Sequence, residues 1–226
     1  MATARSPADT RPYHHGGLPL ALLAAAESVL VRDGIAGLGL RAIAREAGVS
    51  HTAPKHHFGD TTGLLSDLAA VGFQRLHDAM LAAMVGIADT QERRLAIARA
   101  YVHFAHANPA LFGLMFRNEI IDMQRPSLAA AATATLQVMA PTIGGQQPAE
   151  GTEALALSGT EAVRVTAAWA YVHGLSTLLI DHRLQGILKS TTAFASPVDL
   201  VDAVLRQVRL GLDVLPDPAA PLPNGG

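Results

Sequence analysis

Cysteine is entirely absent from the 226 residues, and with it go disulfide staples, thiolate nucleophiles and cysteine-ligated zinc or iron-sulfur clusters. A cysteine-free chain suits a reducing compartment. No run reaches the roughly 18 uncharged apolar residues that span a bilayer, and the opening MATARSPADTRPYHHGG lacks the apolar core of a secretory signal. The expectation is a cytoplasmic protein with no membrane partner. Also missing are GxGxxG, P-loop, GxSxG and HExxH patterns, and paired carboxylates beside a nucleophile. The chain therefore reads as a non-enzyme without a cofactor.

What is present is alanine, leucine and a 50% hydrophobic content, enough to bury a sizeable core. No long stretch alternates apolar with polar residues, so the periodicity is helical and the fold class is all-α. Residues 1–12 and the tail PDPAAPLPNGG from Pro216 carry the bias of unstructured termini, and Pro141 to Thr152 reads as a long connector. Helices are expected at Leu18 to Asp33, Arg41 to Ala47, His51 to His57, and from Thr61 towards Met84. Further helices are expected at Gln91 to Ala107, Pro109 to Asn118, Ser127 to Met139, Thr160 to Gln185 and Pro197 to Leu215, about nine in all.

Charge is uneven along the chain. From Arg11 to Gly59 five basic residues (Arg11, Arg32, Arg41, Arg45, Lys55) face three acidic ones (Glu27, Asp33, Glu46), a net +2 in a chain of net −2. A mildly basic N-terminal segment suits an anion-binding role. In the same segment two short helices flank Gly48-Val49-Ser50, with Gly48 for the tight turn and Ser50 offering a hydroxyl to cap the second helix. Ile43, Ala44, Ala47 and Val49 would lock the pair, leaving HTAPKHHF polar except for Ala53, Pro54 and Phe58. Short helix pairs joined at glycine are common, so spacing alone leaves a helix-turn-helix and a coincidence both open.

The run LRAIAREAGVSHTAPKHHFGDTTGLL, preceded by YHHGGLPLALLAAAESVLVRDG, closely resembles the DNA-binding domain of TetR-type repressors over about residues 13–75. Further on, AWAYVHGL resembles the Trp, His and Gly signature of one TetR subgroup (WHG), matched here by Trp169, His173 and Gly174. The resemblance implies a helix-turn-helix domain at 13–60, a helical ligand-binding and dimerisation domain at 61–215, and a homodimeric regulator, usually a repressor, released from operator DNA by a small molecule. It places Ser50, His51 and Thr52 at the start of the recognition helix, followed by Lys55, His56 and His57. Arg41, Tyr13, His14 and His15 are candidate phosphate contacts on the flanks, against a solvated surface as the competing reading. Lys55 stands where tyrosine is common, Gly39 where a Ser or Thr cap is common, and Thr61-Thr62 where a basic residue is common. Fewer cations mean fewer counterion-releasing contacts, so weaker intrinsic affinity is expected.

Two such domains must sit about 34 Å apart to read one palindrome, so the chain needs a dimer contact. Helices at about 160–185 and 197–215 supply candidate stripes: Ala167, Ala170, Gly174 and Leu178 on one, Val201, Val204, Leu205, Val208 and Leu212 on the other, with intramolecular core as the alternative. A small-molecule effector site is expected among Phe73, Met80, Met84, Phe104, Phe112, Met115, Phe116, Trp169, Tyr171 and His173, adaptable apolar side chains with a few polar tips. Plain core packing would give the same pattern. His103 and His106, three apart, could share a metal ion in a metal-responsive alternative, but no carboxylate at helical spacing completes the set. The other alternative is a helical small-molecule-binding protein with weak DNA binding.

Overall fold

A computed structural model describes residues 17–144 and 156–207. The expected arm and tail, Tyr13, His14, His15, Val208, Leu212 and most of the expected connector lie outside them. The described chain is all-helical, as expected, with ten α-helices against the nine or so anticipated and one short 3-10 turn. It divides into two compact units, one ending at Leu64 and one beginning at Leu65.

In the N-terminal unit, α1 (Leu18–Asp33) buries Leu22, Ala25, Ala26, Val29 and Leu30, spaced three and four apart on one face. Gly34 ends it: at φ +70 its N–H reaches back to the Leu30 carbonyl, 3.0 Å away. After the 3-10 turn Ile35–Gly37, α2 (Leu40–Glu46) buries Ile43 and Ala44 completely. Arg32 at the end of α1 bonds both Asp33 and Glu46, tying the two helices at the surface.

The next helix, α3 (Ala53–Phe58), starts two residues later than the sequence suggests. Pro54 is the cause, because a proline is tolerated only in a helix's first turn, where its missing N–H is not required. Consequently Ser50 does not cap with its hydroxyl. That group meets the Thr52 hydroxyl at 3.2 Å, while the Ser50 carbonyl accepts from the Ala53 N–H at 3.1 Å.

Helix α4 (Thr61–Met84) begins with the Asp60 carboxylate accepting from the Gly63 N–H at 2.8 Å and runs on into the C-terminal unit. There follow α5 (Thr90–Ala107), capped by Asp89, then α6 (Pro109–Met115), and α7 (Pro126–Gly144). Helix α6 stops three residues short of the expected Asn118, and turns carry the chain on to Pro126. The Arg125 guanidinium pairs with both oxygens of Asp67 at 2.8 and 2.7 Å, and Ser66 accepts from the Asp122 N–H at 2.8 Å, fastening those turns to α4.

Pro141 does not end α7. The helix continues to Gly144 because Met139, Ala140 and Ile143 are buried, and the Arg94 Nε–H takes up the Thr142 carbonyl at 2.9 Å. Helix α8 (Gly159–Ile180) opens with a reciprocal cap between Ser158 and Glu161 and closes five residues before the expected Gln185. His182, at φ +57, makes the turn: its N–H reaches the Leu179 carbonyl and the Arg183 N–H the Leu178 carbonyl, a Schellman stop with histidine in glycine's usual place. A further short helix, α9 (Gln185–Lys189), and α10 (Pro197–Gln207) complete the described chain. Helices α5, α7, α8 and α10 pack together as the core of this unit.

Candidate functional site

The first candidate lies on α2, α3 and the turn between them. Gly48 at φ +67 allows the Val49 N–H to reach the Ala44 carbonyl at 3.0 Å, which folds the turn back on α2. Pro54 and Phe58, four apart, point inward on α3 and are buried. That leaves Lys55, His56 and His57 exposed, with Ser50, His51 and Thr52 exposed on the turn and Arg41 exposed on α2. Among the described residues none of Arg41, His51, Lys55, His56 or His57 makes a side-chain hydrogen bond or ion pair; the His56 and His57 rings meet edge to face at 5.3 Å. Arginine, lysine and histidine N–H donors held on a fixed surface without internal partners can engage an external anion. Gly39 takes the N-cap position of α2 in an extended conformation, with no side-chain cap.

The second candidate is in the C-terminal unit. Phe73, Phe112, Phe116, Tyr101 and His173 form a connected aromatic cluster: Phe116 lies 4.6 Å from the His173 ring, 5.0 Å from Phe112 and 5.6 Å from Phe73. A polar relay runs through its edge. The Trp169 Nε1–H donates to the Tyr101 oxygen at 3.2 Å, and the Tyr101 hydroxyl stands 3.0 Å from His173 Nδ1. Tyr101 donates in that bond, since the opposite tautomer would leave its own proton buried without an acceptor. Burial pushes the Tyr101 hydroxyl well above the usual phenol range and holds His173 below the usual histidine range, so both are neutral near pH 7.

Beside this relay opens a cavity of about 170 Å³. Its wall includes Leu95, Ala98 and Tyr101 from α5, Met139 and Ile143 from α7, and Trp169, Tyr171 and Val172 from α8, with Arg94 and Arg206 also on the lining. Of the residues expected to touch an effector, Trp169 and Tyr171 line it. Phe73, Phe112, Phe116 and His173 sit in the adjoining cluster, and Phe104 is buried in α5. Met115 is buried against Gly72, where an added Cβ would come within 2.6 Å of its Sδ, and Met84 is half-buried beside Thr142.

Two family models match the chain. Residues 22–68 match "Bacterial regulatory proteins, tetR family", and residues 95–214 match "Tetracyclin repressor-like, C-terminal domain". The chain belongs to the TetR family. A solved protein of unknown function from Rhodococcus sp. RHA1 is 36% identical, over 86% of this chain and 94% of that one, with a TM-score of 0.65. A TetR-family regulator from Shewanella sp. PV-4 (22% identity, 83% and 95% covered, TM-score 0.60) and the fatty acid degradation regulator FadR from Bacillus halodurans (15%, 86% and 95%, 0.57) share the fold. No curated protein matches.

As a TetR-family chain, this is a DNA-binding transcriptional regulator with an N-terminal helix-turn-helix. No helix of the described residues is long and apolar enough to cross a membrane. Sequence reading overlooked Tyr101 as a site residue, although it continues the buried stripe Ile97, Tyr101, Phe104, Ala105 of α5. It also overlooked Arg94, Met139, Ile143 and Arg206 on the TetR-type C-terminal domain's cavity. His103 turns towards Asp202, 3.4 Å away, and no group of three or more metal-ligating side chains gathers among the described residues. On α10, Val201 and Leu205 are buried within the chain, 1% and 7% exposed, so they are core and not a free dimer stripe. Ala167, Ala170, Gly174 and Leu178 of α8 are exposed together on one face.

Proposed function

We propose that the chain is a homodimeric cytoplasmic repressor that reads a roughly palindromic operator with Ser50, His51, Thr52, Lys55, His56 and His57. Arg41, Tyr13 and His14 flank the operator contacts. The reading assigns DNA recognition to 13–60 and effector binding and pairing to 61–215. Its main support is that Arg41, His51, Lys55, His56 and His57 are exposed in a matched TetR domain and unpaired among the described residues. Pairing is assigned to the exposed face of α8, where Val163, Ala167, Ala170, Gly174 and Leu178 present small and aliphatic surface for close helix approach. The Trp169, His173 and Gly174 pattern on that helix favours the WHG subgroup.

The effector enters the cavity beside Trp169 and Tyr101 and lowers operator affinity. To do so it must bind the DNA-incompetent state more tightly than the competent one, since equal affinity shifts nothing. Titration of DNA from the chain's own promoter neighbourhood against salt tests the recognition half. The native chain should bind with a steep salt dependence, and Lys55→Ala should lower the log-log slope by about 0.9 for the lost phosphate contact. Salt-insensitive binding, or no change in Lys55→Ala and His57→Ala together, overturns the assignment.

A further inference from the structure

The wall and the rim of the cavity differ in chemistry. Three aromatic side chains face it, and each has its polar tip engaged inside the protein. The Trp169 N–H goes to Tyr101, the Tyr101 hydroxyl to His173, and the Tyr171 hydroxyl to the Val204 carbonyl at 3.3 Å. Those side chains therefore show the cavity ring and little else. Met139, Ile143 and Leu95 add aliphatic surface, so an apolar body fits against this wall without leaving a polar group unpaired.

The rim is charged. Gln91, Glu92 and Arg206 are exposed there, and Arg94 is half-buried with its Nε given to Thr142. Among the described lining residues Arg94 and Arg206 are the basic ones and Glu92 the acidic one. Arg206, on the last described turn of α10, makes no ion pair among the described residues. A guanidinium fork matches a carboxylate in plane, and Arg206, the one exposed arginine among the described lining residues, suits one carboxylate. The volume, about 170 Å³, is below the roughly 300–1,000 Å³ of pockets for drug-sized ligands.

From this division we infer that the effector is a compact amphipathic monocarboxylate, its apolar body against Trp169 and Tyr171 and its carboxylate held at the rim by Arg206. The inference rests on the reading that this cavity is the effector site. Trp169 is the chain's single tryptophan and lines the cavity, so its fluorescence reports occupancy directly.

The test compares two probes of nearly equal shape without near-ultraviolet absorption, cyclohexanecarboxylate and cyclohexylmethanol, titrated into the full chain at low salt. The acid should change Trp169 emission saturably and bind about ten-fold tighter than the alcohol, the advantage expected of one charge-assisted contact at an exposed rim. Arg206→Ala should erase that preference, weakening the acid far more than the alcohol, and Arg206→Lys should restore part of it. Because Arg206 is exposed, neither variant should disturb folding, which unchanged emission without probe verifies. Equal affinities in the native chain, or a preference that survives Arg206→Ala, overturn the carboxylate assignment and leave the cavity reading standing. No saturable response to either probe overturns both.

Discussion

The N-terminal and C-terminal units use polar side chains in opposite ways. On α2, α3 and their turn, Arg41, His51, Lys55, His56 and His57 have no hydrogen-bonding partners among the described residues. The fold there is held by Ile43, Ala44, Pro54 and Phe58 beneath them. In the C-terminal unit, Trp169, Tyr101 and His173 satisfy one another around the buried ring of Tyr101. Exposed polar side chains can be exchanged at little cost to stability, whereas a part-buried network carries folding and site geometry at once. The two units should therefore respond differently to mutation.

The largest effect expected is from Phe112→Ala, which removes a 2% exposed ring touching Tyr101, Phe116 and His173. A loss of about 3–5 kcal/mol in urea unfolding is expected, with the cavity distorted as well. A loss below ~1 kcal/mol would show that the cluster is loosely packed and would undo the contrast.

Tyr101→Phe keeps the ring and removes the hydroxyl, leaving the Trp169 N–H and His173 Nδ1 without their partner. About 1–3 kcal/mol should be lost, together with a shift in Trp169 emission. Gly48→Ala puts a side chain at φ +67 in the N-terminal unit and should cost about 1–2 kcal/mol there. Trp169 emission, which reports the other unit, should not move; a shift would mean that strain at the turn reaches the relay.

Acidification sharpens the contrast from another side. Burial holds His173 below its ordinary range, so the folded chain binds its proton less readily than the unfolded chain. The stability this provides is complete above the ordinary histidine range and is lost as pH falls through the lowered value. His173→Gln should narrow the gap between melting temperatures measured near neutral and at mildly acid pH; an unchanged gap would place the acid sensitivity elsewhere. The smallest effect is expected from Lys55→Ala, within about 0.5 kcal/mol of the native stability, because the side chain is exposed and makes no internal contact to lose.

Much of the fold was legible because local physics wrote it. The helix Leu18–Asp33 has its expected bounds, since apolar spacing and Gly34 agree, and Gly48 turns the chain where the pattern placed it. Legibility failed where a non-local partner or an unusual residue decided. His182 stops α8 although glycine is the usual stop, and Pro141 is carried inside α7 because the residues around it are buried. The start of α3 was misplaced for a local reason, Pro54, that outweighed the serine cap.

The candidate sites divide along the same line. By itself the sequence determined an all-helical chain, a glycine turn between two short helices and a polar segment rich in histidine after it, because each depends on neighbours within a few residues. Only the tertiary structure decided that Tyr101 bridges Trp169 and His173, residues 68 and 72 positions away. It likewise brought Met139, Trp169 and Arg206 to one cavity while burying Leu205 in its wall. Helical spacing says which residues share a face, and the packing of α5, α7, α8 and α10 decides what that face meets.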